Sequence, residues 1–215
     1  MKTKKTNRYN FALCSLNNDM LLIAGGYDGN FDIINDCILF NTSSKQFKNL
    51  PSMSIKRESH VLVNVSGIIY AIGGWNFEDK YLASIEEFHP STKEWKRSAF
   101  ELQIARFNHQ AVAHKHFIYV FGGSCKDALQ APTIEKINTV TNRVKIIATK
   151  LRVAKSGFAV AKVHEKIWIF GGRTSDVTGN WYLTDSVEIF DLNTEQIEQG
   201  VKMPFPNSDF TACVL

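Results

Sequence analysis

The sequence predicts an all-β chain folded as a β-propeller of four-stranded blades, and three observations carry that prediction. A diglycine recurs four times, at Gly25-Gly26, Gly73-Gly74, Gly122-Gly123 and Gly171-Gly172, with spacings of 48, 49 and 49 residues. Several other markers recur in the same register. No stretch has a convincing helical period. Four-stranded units repeating at about 50 residues are the signature of a propeller, in which each unit is one blade.

Each unit resolves into four strands and their turns. The first strand falls at residues 14–16, 61–65, 110–113 and 159–163, runs of apolar, small and β-branched side chains. The second is the apolar run that closes on the diglycine: LLIAGG, IIYAIGG, FIYVFGG and IWIFGG. The third ends at Phe40, Phe88 or Ile137, fourteen residues past the second glycine, and in the last unit at Phe190, eighteen past it. A short polar turn holding Ser44, Thr92, Thr141 or Thr194 leads to the fourth strand. That strand carries Phe47, Trp95, Val144 or Ile197, seven residues beyond the third-strand marker. A cation precedes every diglycine: Arg8, Arg57, Arg106 and Lys155, each 49 residues after the last. The expected organisation is therefore a disordered basic N-terminus at 1–7 and blades at 8–56, 57–105, 106–154 and 155–206. Residues 207–215 then begin the first strand of a fifth, truncated blade.

These markers resemble the kelch-repeat family, and the second unit, IIYAIGG followed by EEFHPSTKEW, shows the likeness best. The resemblance covers the chain from about Arg8 to Leu215. Units one and three depart from it by keeping apolar residues where aromatics are usual. Kelch propellers resemble one another in closing with about six blades. Four units and a half-strand therefore imply an incomplete ring, with a BTB domain, where one exists, outside this chain. The glycine pairs fit places where a Cβ would meet neighbouring backbone, and Trp95 and its equivalents fit the space between blades. Strict recurrence assigns Arg57, Arg106 and their equivalents to structure rather than to a ligand, since a residue joining neighbouring blades must appear in each.

Composition limits the function classes. The net charge of +4 comes with one dense basic cluster, Lys2, Lys4 and Lys5, read as a solvated tail, so no nucleic-acid partner is expected. No apolar run approaches membrane-spanning length and no signal peptide is legible, so the expected location is cytoplasmic, without a membrane partner. Cys14, Cys37, Cys125 and Cys213 form no zinc-type spacing; Cys14, Cys37 and Cys213 lie in apolar runs and are expected to be buried thiols. His114-Lys-His116 could hold a metal, but turn histidines are common, and no catalytic motif or phosphate loop occurs. No cofactor, metal or catalytic residue is assigned.

In kelch substrate receptors, contacts come from loops at one end of the blades. The resemblance implies a rim made of the residue after each diglycine (Tyr27, Trp75, Ser124 and Arg173) and of residues just after each repeat cation. The second group is Tyr9, Asn10, Glu58, Ser59, Phe107, Asn108, Ser156 and Gly157. The fourth diglycine loop is four residues longer than its equivalents and adds Trp181 and Tyr182. Tyr, Trp and Arg are the residue types enriched at binding hot spots, while packing on neighbouring loops is the alternative for these rings. The resemblance thus implies a protein–protein interaction module that takes a protein or peptide on its rim. Its leading form is the substrate-recognition part of a kelch-like adaptor of a cullin-type E3 ubiquitin ligase, reached through a BTB domain. The alternatives are an actin-associated or other scaffold and, further off, a sugar-processing enzyme.

Overall fold

The computed structural model describes residues 7–213. The basic N-terminus predicted at 1–7 lies outside them except for Asn7, as do the last two residues of the predicted fifth-blade strand. All regular structure among the described residues is β. Four antiparallel four-stranded sheets are each strung in sequence order, so each is one blade. The chain divides between Leu102 and Gln103 into two compact units of two blades each.

In the first unit, blade 1 comprises Ala12–Asn17, Met20–Ala24, Cys37–Asn41 and Gln46–Leu50. Blade 2 comprises Val61–Val65, Ile68–Ile72, Ile85–His89 and Glu94–Arg97. Leu22, Met53, Leu62, Ile69 and Phe88 form the core that joins them. In the second unit, blade 3 comprises Gln110–His114, Phe117–Phe121, Thr133–Asn138 and Arg143–Lys150. Blade 4 comprises Ala159–Val163, Lys166–Phe170, Val187–Asp191 and Ile197–Gln199. Its core holds Tyr119, Phe121, Ile134, Phe158, Ile167 and Phe190.

The seven-residue spacing in the sequence has a direct cause. Phe40 faces Phe47, Phe88 faces Trp95, Ile137 faces Val144 and Phe190 faces Ile197 across the hairpin of third and fourth strands. Opposed apolar residues of this kind are the unit of sheet stabilisation. The Phe88 and Trp95 rings lie 5.2 Å apart, and Trp95 packs on the unit's core. Phe47, by contrast, is exposed.

The repeat cations are buried inside blades 2, 3 and 4. The Arg57 guanidinium donates to the Gly73 carbonyl at 2.6 Å and to Glu86 Oε1 at 2.9 Å, with both side chains fully buried. Arg106 donates to the Gly122 carbonyl and to Glu135, and Lys155 meets Glu188 at 2.7 Å. Each carboxylate also accepts backbone N–H groups from the segment entering its blade: Ser54 and Ile55, Gln103 and Ile104, Arg152 and Val153. Burial would drive a lone charge toward neutrality, and it pulls the pKa of all three cations down, against the pull of the facing carboxylate. Blade 1 differs. A bulge between Ser15 and Asn17 lengthens its first half, Ile38 stands where the other blades have glutamate, and among the described residues Arg8 hydrogen-bonds the Asp36 carbonyl alone, at 3.3 Å.

Residues 207–213, read from sequence as the opening of a fifth unit, form no strand. They nevertheless repeat the contacts between blades: the Gly172 N–H donates to the Asn207 carbonyl, as Gly26 does to Arg57 and Gly123 to Lys155. Asn207 thus occupies the cation position without a cation. Burial pushes the Cys14 thiol up to about 11 and the Cys37 thiol up to about 12. Cys37 and Cys125 are buried, whereas Cys14, expected to be buried, is half-buried, and Cys213, expected in a buried strand, is exposed because its segment has no sheet to lie in.

Candidate functional site

The two groups of rim residues meet one another. Tyr9 pairs with Tyr27, Glu58 with Trp75, Phe107 with Ser124 and Ser156 with Arg173, each as an antiparallel bridge at the diglycine end of its blade. The diglycine makes this possible. Gly74 has φ of +107°, and a Cβ there would lie 2.8 Å from the Glu58 carbonyl oxygen, the atom that accepts the Trp75 N–H at 2.9 Å. A side chain would therefore collide with the backbone that positions Trp75.

The next residue along, at Asn10, Ser59, Asn108, Gly157 and Asp209, takes left-handed φ in every repeat. The Asn10 carbonyl accepts from the Ser59 N–H, Asn108 from Gly157, and Gly157 from Asp209. Asn, Asp and Gly tolerate this conformation, whereas Ser59 holds it under strain.

In the first unit the rim is aromatic and acidic. Tyr9 and Phe31 stack in parallel and both are exposed, as is Phe77, which meets Trp75 edge-on at 5.0 Å. The Lys80 ammonium sits 5.3 Å from the centre of the Trp75 ring. Glu58 is buried behind them, its Oε2 accepting from Asn10 Nδ2 at 3.0 Å and from the Ser59 hydroxyl. Burial raises the Glu58 pKa against those two hydrogen bonds. Burial, then the Glu58 charge, raises that of Tyr27.

In the second unit the aromatic surface comes from the long fourth loop. Arg173–Ser175 and Trp181–Leu183 form a two-stranded ribbon, with Trp181 and Tyr182 about half exposed. Its turn is tied by Asp176, which accepts from the Thr178 N–H and hydroxyl and from the Asn180 N–H. These bonds lower the Asp176 pKa to about 2. Arg173 is engaged within the chain, donating from Nε to the Ser208 hydroxyl at 3.1 Å and pairing with Asp209. Ser124 and Ser156 are buried, and their backbones form the bridges that frame this end of blades 3 and 4. Phe107 and Asn108 stay partly open.

The spacing rules missed two groups. Phe31 and Phe77 belong to the first unit's surface, and the exposed aromatics inside the two diglycine loops were the available signal. The buried glutamates also recur in register, two residues before Phe88, Ile137 and Phe190. His114, read from sequence as a turn histidine, is buried at the end of a strand, 3.2 Å from Lys162 Nζ and 3.3 Å from Glu165. No group of three or more His, Cys, Asp or Glu side chains among the described residues could hold a metal ion.

Sequential four-stranded sheets with loops paired at one end define the β-propeller class. A solved structure titled "Structure of YjhT" matches with a TM-score of 0.78 at 15% identity, over 94% of this chain and 67% of that one, which shows the shared fold. The sequence profile of the KLHDC2/KLHL20/DRC7 Kelch-repeats domain matches residues 59–215, most of the chain, so the chain belongs to the kelch-repeat family. A search of curated proteins found no match.

Proposed function

We propose that this chain is a protein-recognition module that takes a protein or peptide partner on its diglycine-end loops. We further propose that it serves in the cytoplasm as the substrate-recognition part of a kelch-like adaptor of a cullin-type ubiquitin ligase. The observation that carries the reading is the set of exposed aromatic rings, Tyr9, Phe31 and Phe77 in one unit and Trp181 and Tyr182 in the other. Tyr9, Trp181 and Tyr182 stand on backbone held in antiparallel pairs. Solvent-facing aromatics on a rigid frame lose little entropy on contact and bury large area, the character of interface anchors. Membership of the kelch family supports the recognition role.

The test is to capture partners with the tagged chain and with Tyr9→Ala/Phe31→Ala and Trp181→Ala/Tyr182→Ala variants, then to follow the turnover of each rim-dependent partner. The expected result is a partner lost from one or both variants, accompanied by a cullin, and longer-lived when the chain is removed. Rim-dependent capture of actin filaments without any cullin would replace the ligase role with a scaffold role. Capture indifferent to both variants would overturn the recognition role itself.

A further inference from the structure

Resting on that reading, we propose that the first unit's rim recognises a basic protein segment, with Glu58 receiving a lysine or arginine side chain that lies against Trp75 and Tyr27. Three independent observations converge on a cation as the favoured group.

First, a buried carboxylate with spare acceptor capacity sits at the rim. Asn10 and Ser59 both bind Oε2 of Glu58, and no described residue hydrogen-bonds Oε1. A carboxylate offers about four acceptor sites. In blades 2, 3 and 4, buried carboxylates are matched by a cation from their own blade. Glu58 has no such partner among the described residues, and a buried charge gains most from a counter-charge brought to it.

Second, the aromatic neighbour already hosts a cation. Lys80 Nζ lies over Trp75, the residue whose backbone is bridged to Glu58. Tryptophan is the best aromatic partner for an ammonium or guanidinium group. Lys80 is exposed, so its ammonium can leave the ring for solvent at little cost.

Third, the local charge opposes that of the whole molecule. The two loops that frame the site, residues 27–32 and 75–81, carry Asp28, Asp32, Glu78 and Asp79 against Lys80 alone, in a chain whose net charge is +4. An acidic, aromatic surface on a basic protein draws basic segments and repels acidic ones.

The experiment is a selection from phage-displayed random linear peptides against the 215-residue chain, followed by titration of the best peptide. Lysine and arginine should be enriched over the starting library. Glu58→Gln, which preserves size and can keep the Asn10 and Ser59 contacts, should abolish the enrichment and weaken the best peptide by about ten-fold or more. Added salt should weaken it too, whereas Lys80→Ala, which frees Trp75 and removes a like charge, should tighten it. If Glu58→Gln lowers the melting temperature, Trp75→Leu with the salt titration decides, because only the Trp75 side chain and not its backbone bridge is then altered. Neutral or acidic selected peptides, or basic ones that bind Glu58→Gln equally, overturn this inference and leave peptide recognition standing. A selection that enriches no peptide counts against both.

Discussion

Arg57 and Arg8 occupy the same place in the repeat yet live in different environments, and the difference sets what each substitution does. Arg57 is fully buried against Glu86, so Glu86→Ala strands a guanidinium in the core and also orphans the Ser54 and Ile55 N–H groups. Breaking one partner of a buried pair typically costs about 3–5 kcal/mol. Arg8 makes one hydrogen bond among the described residues, an exposed one to a carbonyl, so Arg8→Ala should change stability by less than about 0.5 kcal/mol. Chemical denaturation of the two variants side by side checks both expectations. A second contrast separates frame from contact at adjacent residues. Gly74→Val puts a branched side chain at φ of +107°, against the Glu58 carbonyl, and should destabilise by about 3 kcal/mol or more. Trp75→Ala keeps the Glu58–Trp75 backbone bridge. It should weaken a peptide partner by about 2 kcal/mol while moving the melting temperature far less than Gly74→Val does. Equal drops in melting temperature would make Trp75 a packing residue.

Among the elements, the ribbon carrying Trp181 and Tyr182 depends on a turn tied by one carboxylate. Asp176→Ala removes four hydrogen bonds donated by Thr178 and Asn180. Cleavage within 176–180 under limited proteolysis should then outpace that of the parent chain. Because the Asp176 pKa is depressed from 3.8 to about 2, its contribution is present above pH 4 and lost as pH falls toward 2. The fluorescence of Trp181, measured with the other tryptophans replaced by phenylalanine, should report the loosening only in that acid range. Strands were legible because their markers recur: the facing of Phe88 and Trp95 follows from a seven-residue spacing alone. Surface exposure was less so. Ser124 and Trp75 hold equivalent places after a diglycine, yet one is buried and the other borders solvent. That distinction depends on what neighbouring loops cover, and loops do not repeat. The glutamate partners were in register and still passed over, because carboxylates in strands read as solvent-facing until the buried cation opposite them is seen.

For the molecule as a whole, blade 1 presents apolar surface that its counterpart in blade 2 hides. Leu62 is buried in the core of blades 1 and 2, whereas Leu13, at the same point of the first strand, is half exposed beside the exposed Phe11. Apolar side chains on a strand edge invite association. The 215-residue chain should therefore self-associate in light scattering, and Leu13→Lys should shift it toward monomer without lowering its melting temperature. The hydrogen bonds that tie one blade to the next also bear on how the protein is made. The Gly26 N–H finds its acceptor only at Arg57, about 30 residues later, and the Gly123 N–H waits in the same way for Lys155. At roughly 5–20 residues per second of synthesis, a blade leaving the ribosome stays unlatched for about 2–6 s before the next one supplies its carbonyl. During that interval the newest diglycine end is the part of the nascent chain most open to a chaperone.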